Sequence, residues 1–126
     1  MAAGGWGGGL AGAIWPYRVP TVATTVVAAV QGGVPGDGRD LASHHRAGTS
    51  NHVEATPKLA NTLSSEQRES LALVVWPENA TAVDPVRDPV AREGIEGAVA
   101  AVSVPVLVGG IFDGPTAGTA YNRGLL

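Results

Sequence analysis

The apolar run at residues 71–76 (LALVVW) constrains the fold most, because it holds no polar residue and proline follows it directly. A short continuous run of this kind predicts a strand buried in a parallel sheet. Residues 22–31 (VATTVVAAVQ) and 104–108 (VPVLV) are also rich in β-branched residues and predict two further strands. After a turn at residues 113–115 (DGP), residues 119–126 (TAYNRGLL) are expected to return as a fourth strand.

A helix is expected between the second and third strands. Asp84 and Asp88 are each followed by proline, the pattern of an N-cap carboxylate before a proline in the first turn. Asp88 is the favoured start, because Pro89 would clash inside a helix that began at Asp84. The buried stripe of this helix is then expected to hold the apolar residues at helical spacing, which are Ile95, Val99 and Val102.

A second, less regular helix is expected over residues 39–62, where Pro57 should kink or split it. Helices and strands then follow the order β-α-β-α-β-β, which places the chain in the α/β class.

The glycine-rich residues 1–21 precede these elements and are expected to form a flexible lead-in or linker. They are too short and too rich in glycine to span a bilayer. A remnant of a preceding membrane helix is the alternative, because Trp6, Trp15 and Tyr17 are residue types that favour a membrane interface.

Charge and composition argue against several classes of function. The net charge is −3 and the eight basic residues are scattered, so no nucleic-acid partner is expected. The absence of cysteine excludes disulfides and thiolate metal sites. His44, His45 and His52 have no carboxylate that completes a metal site, and we expect them on a solvated helix face. The glycines of residues 32–38 match no nucleotide-binding motif, so no cofactor is expected.

Glu78 is the candidate catalytic residue. It follows Trp76 and Pro77 at the carboxyl end of the second predicted strand, which is the edge where open α/β sheets bind ligands. From position alone, a structural loop carboxylate that accepts backbone N–H bonds is the stronger interpretation.

The wider sequence around Glu78 changes that balance. Segments 73–80 (LVVWPENA), 28–35 (AAVQGGVP), 51–56 (NHVEAT) and 105–109 (PVLVG), the last followed by Tyr121-Asn122, occur in one order. Together they resemble the actinobacterial apolipoprotein N-acyltransferases, of the nitrilase or carbon-nitrogen hydrolase superfamily. Soluble amidases of that superfamily commonly carry phenylalanine before Pro-Glu, where this chain has tryptophan, and a fragment of such an amidase is the alternative.

The resemblance implies a Glu-Lys-Cys triad. The glutamate takes the thiol proton, the cysteine attacks an acyl carbonyl and the lysine stabilises the oxyanion. In these acyltransferases the acyl group passes from a phospholipid, through a thioester, to the N-terminal amine of a lipoprotein at the outer face of the cell membrane. Glu78 matches the general base. The chain has no cysteine, and its only lysine, Lys58, precedes Glu78, whereas the lysine of the family follows it.

We therefore expect residues 22–126 to form the N-terminal part of a nitrilase-like domain. We expect this part to be one truncated layer of an α-β-β-α sandwich, inactive alone and without a transmembrane segment. The alternative is an interaction protein and not an enzyme: a noncatalytic or split half that self-associates or pairs with a partner chain through an open sheet edge.

Overall fold

A four-stranded sheet organises the computed structural model, which describes residues 23–33 and 46–126. The strands are Val26–Ala29 (β1), Leu71–Thr81 (β2), Val106–Asp113 (β3) and Ala120–Leu125 (β4). Their order in the sheet follows the chain; β1, β2 and β3 are parallel, and β4 is antiparallel to β3. The predicted α/β class and element order are confirmed. The expected lead-in at residues 1–21 lies outside the described residues, as do His44 and His45.

The helices lie between the strands along the chain. Ala47–Ala55 (α1) continues through a 3₁₀ turn, Thr56–Lys58, into Leu59–Thr62 (α2). The turn contains Pro57, so the expected break in the first helix is confirmed. Ser65–Glu69 (α3) follows, and Pro89–Val102 (α4) connects β2 to β3.

The short helix α3 was not predicted. Ser64 accepts the N–H of Gln67 (3.1 Å), and the Gln67 side chain accepts the N–H of Ser64 (2.9 Å). This reciprocal capping box starts α3 directly before β2.

Helix α4 begins where the sequence predicts. The Asp88 carboxylate accepts a backbone N–H of the first turn at 3.0 Å. The buried face differs from the prediction in two of its three residues, because Ile95 is buried whereas Val99 and Val102 are only partly buried. The buried residues of α4 are Ala91, Ile95 and Ala98.

One face of the sheet carries the core. Trp76 and Val74 of β2 are 1% and 0% exposed, and they form one cluster with residues of β1, β3 and the helices. The alternate residues point to the other face, on which no described helix packs. That face, called the open face below, includes Val27, Leu73, Val75, Leu107 and Ile111. Val27 is 53% exposed there, so the expectation that these strands are fully buried is wrong for the described chain.

Within residues 23–33 and 46–126, no helix has both the length and the apolar character needed to cross a bilayer.

Candidate active site around Glu78

Glu78 lies on a wide bulge of β2. Regular pairing with β3 runs to Trp76, opposite Val108, and resumes at Thr81, opposite Gly110. The strand β2 therefore advances five residues (76 to 81) while β3 advances two (108 to 110). The expectation that Pro77 ends the strand is wrong. Residues 77–80 have no partner in the β3 ladder, so the missing N–H of proline costs no bond there.

Asn79 gives the bulge its shape. Its φ of 60° lies in the left-handed region, which asparagine adopts more readily than most residues with a side chain. Glu78 and Asn79 are exposed, whereas the following Ala80 and Thr81 are both 0% exposed. The bulge thus presents the Glu78 carboxyl group to solvent and returns the chain to the core within three residues.

Two glycines of β3 accommodate the bulge. A Cβ atom on Gly109 would overlap the carbonyl oxygen of Pro77 and lie 3.0 Å from the backbone nitrogen of Glu78. A Cβ atom on Gly110 would overlap the methyl group of Thr81. By strand alternation Gly109 belongs to the open face, so the Pro77-Glu78 backbone lies against β3 on that face.

Asn122 of β4 holds the Glu78 carboxylate. Its Nδ2 amide donates to Oε1 of Glu78 at 2.5 Å. Asn122 is paired with Ile111 in the antiparallel ladder, and directly paired residues lie on the same side of a sheet, here the open face. Within residues 23–33 and 46–126 the carboxylate has no other hydrogen bond and no ion pair. Glu78 is therefore exposed, with one carboxyl oxygen held by a neutral donor and the other without a partner among the described residues.

Lys58 is not brought to Glu78. It is exposed in the 3₁₀ turn of the helical layer, whereas the carboxylate lies on the open face. The adjacent Leu59 lines one cavity with Leu71, the first residue of β2. Lys58 therefore lies near the amino edge of the sheet, away from the carboxyl end that carries Glu78.

His52 is a buried residue and lies on no solvated face, so that expectation is wrong. It is 2% exposed, with its ring centroid 5.4 Å from that of Trp76. Nδ1 donates to the Gly48 carbonyl at 2.7 Å, while Nε2 has no partner within the described part of the chain. Gly32 allows this packing, because a Cβ atom there would lie 2.7 Å from two nitrogens of His52. The described residues contain no cluster of three or more metal-binding side chains.

Sequence reasoning missed the contributions of Asn122 and of the two glycines. The Gly109-Gly110 pair inside a predicted strand was the available signal, because interior glycines often mark a bulge or a close backbone approach. Asn122 is part of the resemblance described for Tyr121-Asn122, but nothing near it in sequence indicates its contact with Glu78, which lies 44 residues earlier.

Comparison with known proteins found sequence similarity to an enzyme. The chain is 39% identical over 85 residues to the apolipoprotein N-acyltransferase of Mycolicibacterium smegmatis (strain ATCC 700084 / mc(2)155), a match that covers 68% of this chain. No protein-family model matches the chain, and no solved structure matches it. The resemblance to the nitrilase superfamily as a whole stays a prediction. Over the aligned stretch the chain is thus similar to an apolipoprotein N-acyltransferase, of whose length it spans 14%.

Proposed function

We propose that the chain is a segment of the nitrilase-like catalytic domain of an apolipoprotein N-acyltransferase, in which Glu78 is the general base. The observation that carries this proposal is the exposed carboxylate on a bulge at the carboxyl end of a parallel strand, held through one oxygen by Asn122. The 39% identity to the Mycolicibacterium smegmatis enzyme supports it independently.

In the proposed reaction Glu78 takes the proton of a thiol, and the thiolate attacks the ester carbonyl of a phospholipid. The lysophospholipid alcohol leaves with the proton that Glu78 had taken, and the acyl group stays as a thioester. The N-terminal amine of a lipoprotein then attacks the thioester, the C–S bond breaks as the amide forms, and the proton lost by the amine returns to the released thiolate. The thiol and the lysine that stabilises the oxyanion would come from outside this chain, which has no cysteine and holds Lys58 away from Glu78. The intact enzyme would act at the outer face of the cell membrane.

A chimera tests the role of Glu78. Residues 23–126 would replace the corresponding stretch of the Mycolicibacterium smegmatis protein, and transfer of labelled acyl chains from phospholipid to a lipopeptide amine would be measured. Glu78→Gln is expected to lower turnover by about 10²-fold or more, because it removes the base. Glu54→Gln is the matched control, since Glu54 is an exposed carboxylate of α1. Full activity in the Glu78→Gln chimera would reject the proposal.

The isolated chain gives a second test. The purified 126 residues are expected to show no acyl transfer, because they hold no thiol. Turnover by this chain that Glu78→Gln abolished would show that the reaction needs no external cysteine.

A noncatalytic half that pairs with a partner is the second candidate, and the open face favours it. Val27 of β1 is 53% exposed on that face, and both outer strands present an unpaired edge within the described sheet. Such edges promote association with another chain. Sedimentation velocity is expected to show concentration-dependent association, and a monomer that unfolds cooperatively would contradict this candidate.

A further inference from the structure

We infer that Asn122 is a positioning residue for Glu78: its side-chain amide holds Oε1, so that Oε2 is the one oxygen presented to a proton donor. This inference rests on the proposed role of Glu78 as a general base. It concerns how the carboxylate is aimed, and the Glu78–Asn122 hydrogen bond of 2.5 Å is its starting point.

An exposed glutamate is ordinarily mobile. Its side chain has several rotatable bonds, and a base that samples many rotamers is aligned with its proton donor only part of the time. Asn122 is better placed to stay fixed, because it lies within the β3–β4 ladder, where it is paired with Ile111. The hydrogen bond therefore restricts the Glu78 side chain on the bulge by linking it to a residue of a paired strand.

The two residues start on strands that are not neighbours. Two strand spacings separate β2 from β4, roughly 10 Å. The bulge shortens this gap by placing the Glu78 backbone against Gly109 on the open face. Gly109 is paired with Gly124 of β4, so neither strand places a side chain between the carboxylate and Asn122 at that pair.

Strand alternation places the neutral side chain of Asn122, and not the cationic side chain of Arg123, on the face that carries Glu78. Arg123 follows Asn122 directly and so points to the opposite face, where its guanidinium carbon lies 4.0 Å from the centroid of the Tyr121 ring. A guanidinium beside Glu78 would bind both carboxylate oxygens and leave neither for proton transfer. The Asn122 amide is uncharged and binds only one of the two oxygens. A shift of one residue in the pairing of β4 would exchange these two side chains.

Nuclear magnetic resonance tests the contact in the chain as it exists. The side-chain NH₂ signals of Asn122 are expected to move when Glu78→Ala removes the acceptor, and to stay in place in the control Glu54→Ala. Unmoved Asn122 signals in Glu78→Ala, with the backbone spectrum otherwise preserved, would show that the amide does not hold the carboxylate.

Kinetics in the chimera described above test the positioning role. Asn122→Ala is expected to lower kcat by about 10- to 100-fold, as small misplacements of catalytic groups do, with KM unchanged. Asn122→Gln keeps a donor and should recover part of the loss, whereas Asn122→Asp, which loses it, should not. Arg123→Gln alters the neighbouring residue on the other face and is expected to leave kcat unchanged.

The outcomes separate this inference from the proposed function. Full activity of the Glu78→Gln chimera would reject the proposed function itself. Loss of activity in Glu78→Gln with an unchanged kcat in Asn122→Ala would overturn only the positioning role. A raised KM with unchanged kcat in Asn122→Ala would also overturn it, because the residue would then act in substrate binding.

Discussion

Gly109 and Pro77 are in direct backbone contact across β2 and β3, and the Pro77 carbonyl oxygen occupies the position that a side chain on Gly109 would need. The contact explains how a strand can bulge by three residues and still lie against its neighbour. Backbone atoms cannot rotate aside as a side chain can, so the position excludes any larger residue.

Gly109→Ala is therefore expected to displace the bulge and to lower the free energy of unfolding by about 1–3 kcal/mol, the usual cost of overpacking. Gly97→Ala is the matched control, because a Cβ atom there meets nothing within 4 Å on α4. Alanine favours a helix interior, so Gly97→Ala should raise the free energy of unfolding by about 0.5–1 kcal/mol. Urea titration of both variants measures this, and effects of the same sign would contradict the assigned contact.

The buried hydrogen bond between Trp76 and Thr56 should stabilise the junction of helix and sheet. The indole N–H donates to the Thr56 hydroxyl oxygen at 2.9 Å, and both side chains are 1% exposed or less. Thr56→Val leaves the indole donor without a partner and should cost about 1–3 kcal/mol. A double-mutant cycle with Trp76→Phe should show coupling, while the exposed Thr62→Val should have little effect. Strict additivity in the cycle would exclude the interaction.

Lowering the pH should reduce the stability of the fold, because Asp88 becomes protonated. Hydrogen bonds from Arg46, at 2.9 and 2.7 Å, and from the backbone of Ala91 hold the pKa of Asp88 below its ordinary value of 3.8. A carboxyl group with a lowered pKa contributes stability above its unfolded pKa and loses it as the pH falls through the folded value. Asn can still cap a helix but carries no charge. The difference in Tm between the unaltered chain and Asp88→Asn should therefore be largest at neutral pH. It should disappear as the pH falls below 3.8.

A control for this pH series is Asp113→Asn. The Asp113 pair with Arg87 spans 3.2 Å between side chains that are 56% and 69% exposed, and such pairs contribute little at any pH. A Tm difference for Asp88→Asn that stayed constant with pH would show that Asp88 acts through the cap alone.

Asn79 should tolerate glycine and reject valine. Its φ of 60° is accessible to glycine without strain, whereas a β-branched residue there should cost at least about 1–2 kcal/mol. Asn61 lies in helix α2 and is the control, because Asn61→Val exchanges residues of similar helix propensity. Thermal unfolding gives the stability, and the Asn122 side-chain signals report whether the bulge still presents Glu78. Equal tolerance of valine at both positions would contradict the left-handed assignment.

Local signals predict much of the fold. The Asp88-Pro89 pair fixes the start of α4 by combining an N-cap with a residue that cannot lie deeper in a helix, and Pro57 divides the first helix for the same steric reason. The strand predicted at residues 71–76 is present but extends further than its apolar run. Proline excludes a ladder hydrogen bond, and at Pro77 the bulge makes none, so the strand direction continues past it.

Contacts between distant residues set the limit of such prediction. Ala98 lies three residues after Ile95 on the buried face of α4 and is 1% exposed, but a prediction built on the larger side chains Val99 and Val102 does not include it. His52 is a polar residue in a polar stretch of sequence, which favours a solvated helix face, yet Gly32 and Trp76 lie against it in the structure. Glu78 is identified by its neighbours in sequence, whereas its donor Asn122 follows from the order and pairing of three strands.

The span of the Glu78–Asn122 contact has a consequence for the order of synthesis. The two residues are separated by 44 positions, and Asn122 belongs to β4, which follows the other three strands of the described sheet along the chain. While a ribosome is still adding β4, the nascent chain already contains the bulge, but the carboxylate has no donor. Glu78 therefore becomes oriented only after β1, β2, β3 and residue 122 have been synthesised. A nascent chain arrested before residue 122 lacks the donor that orients the Glu78 side chain.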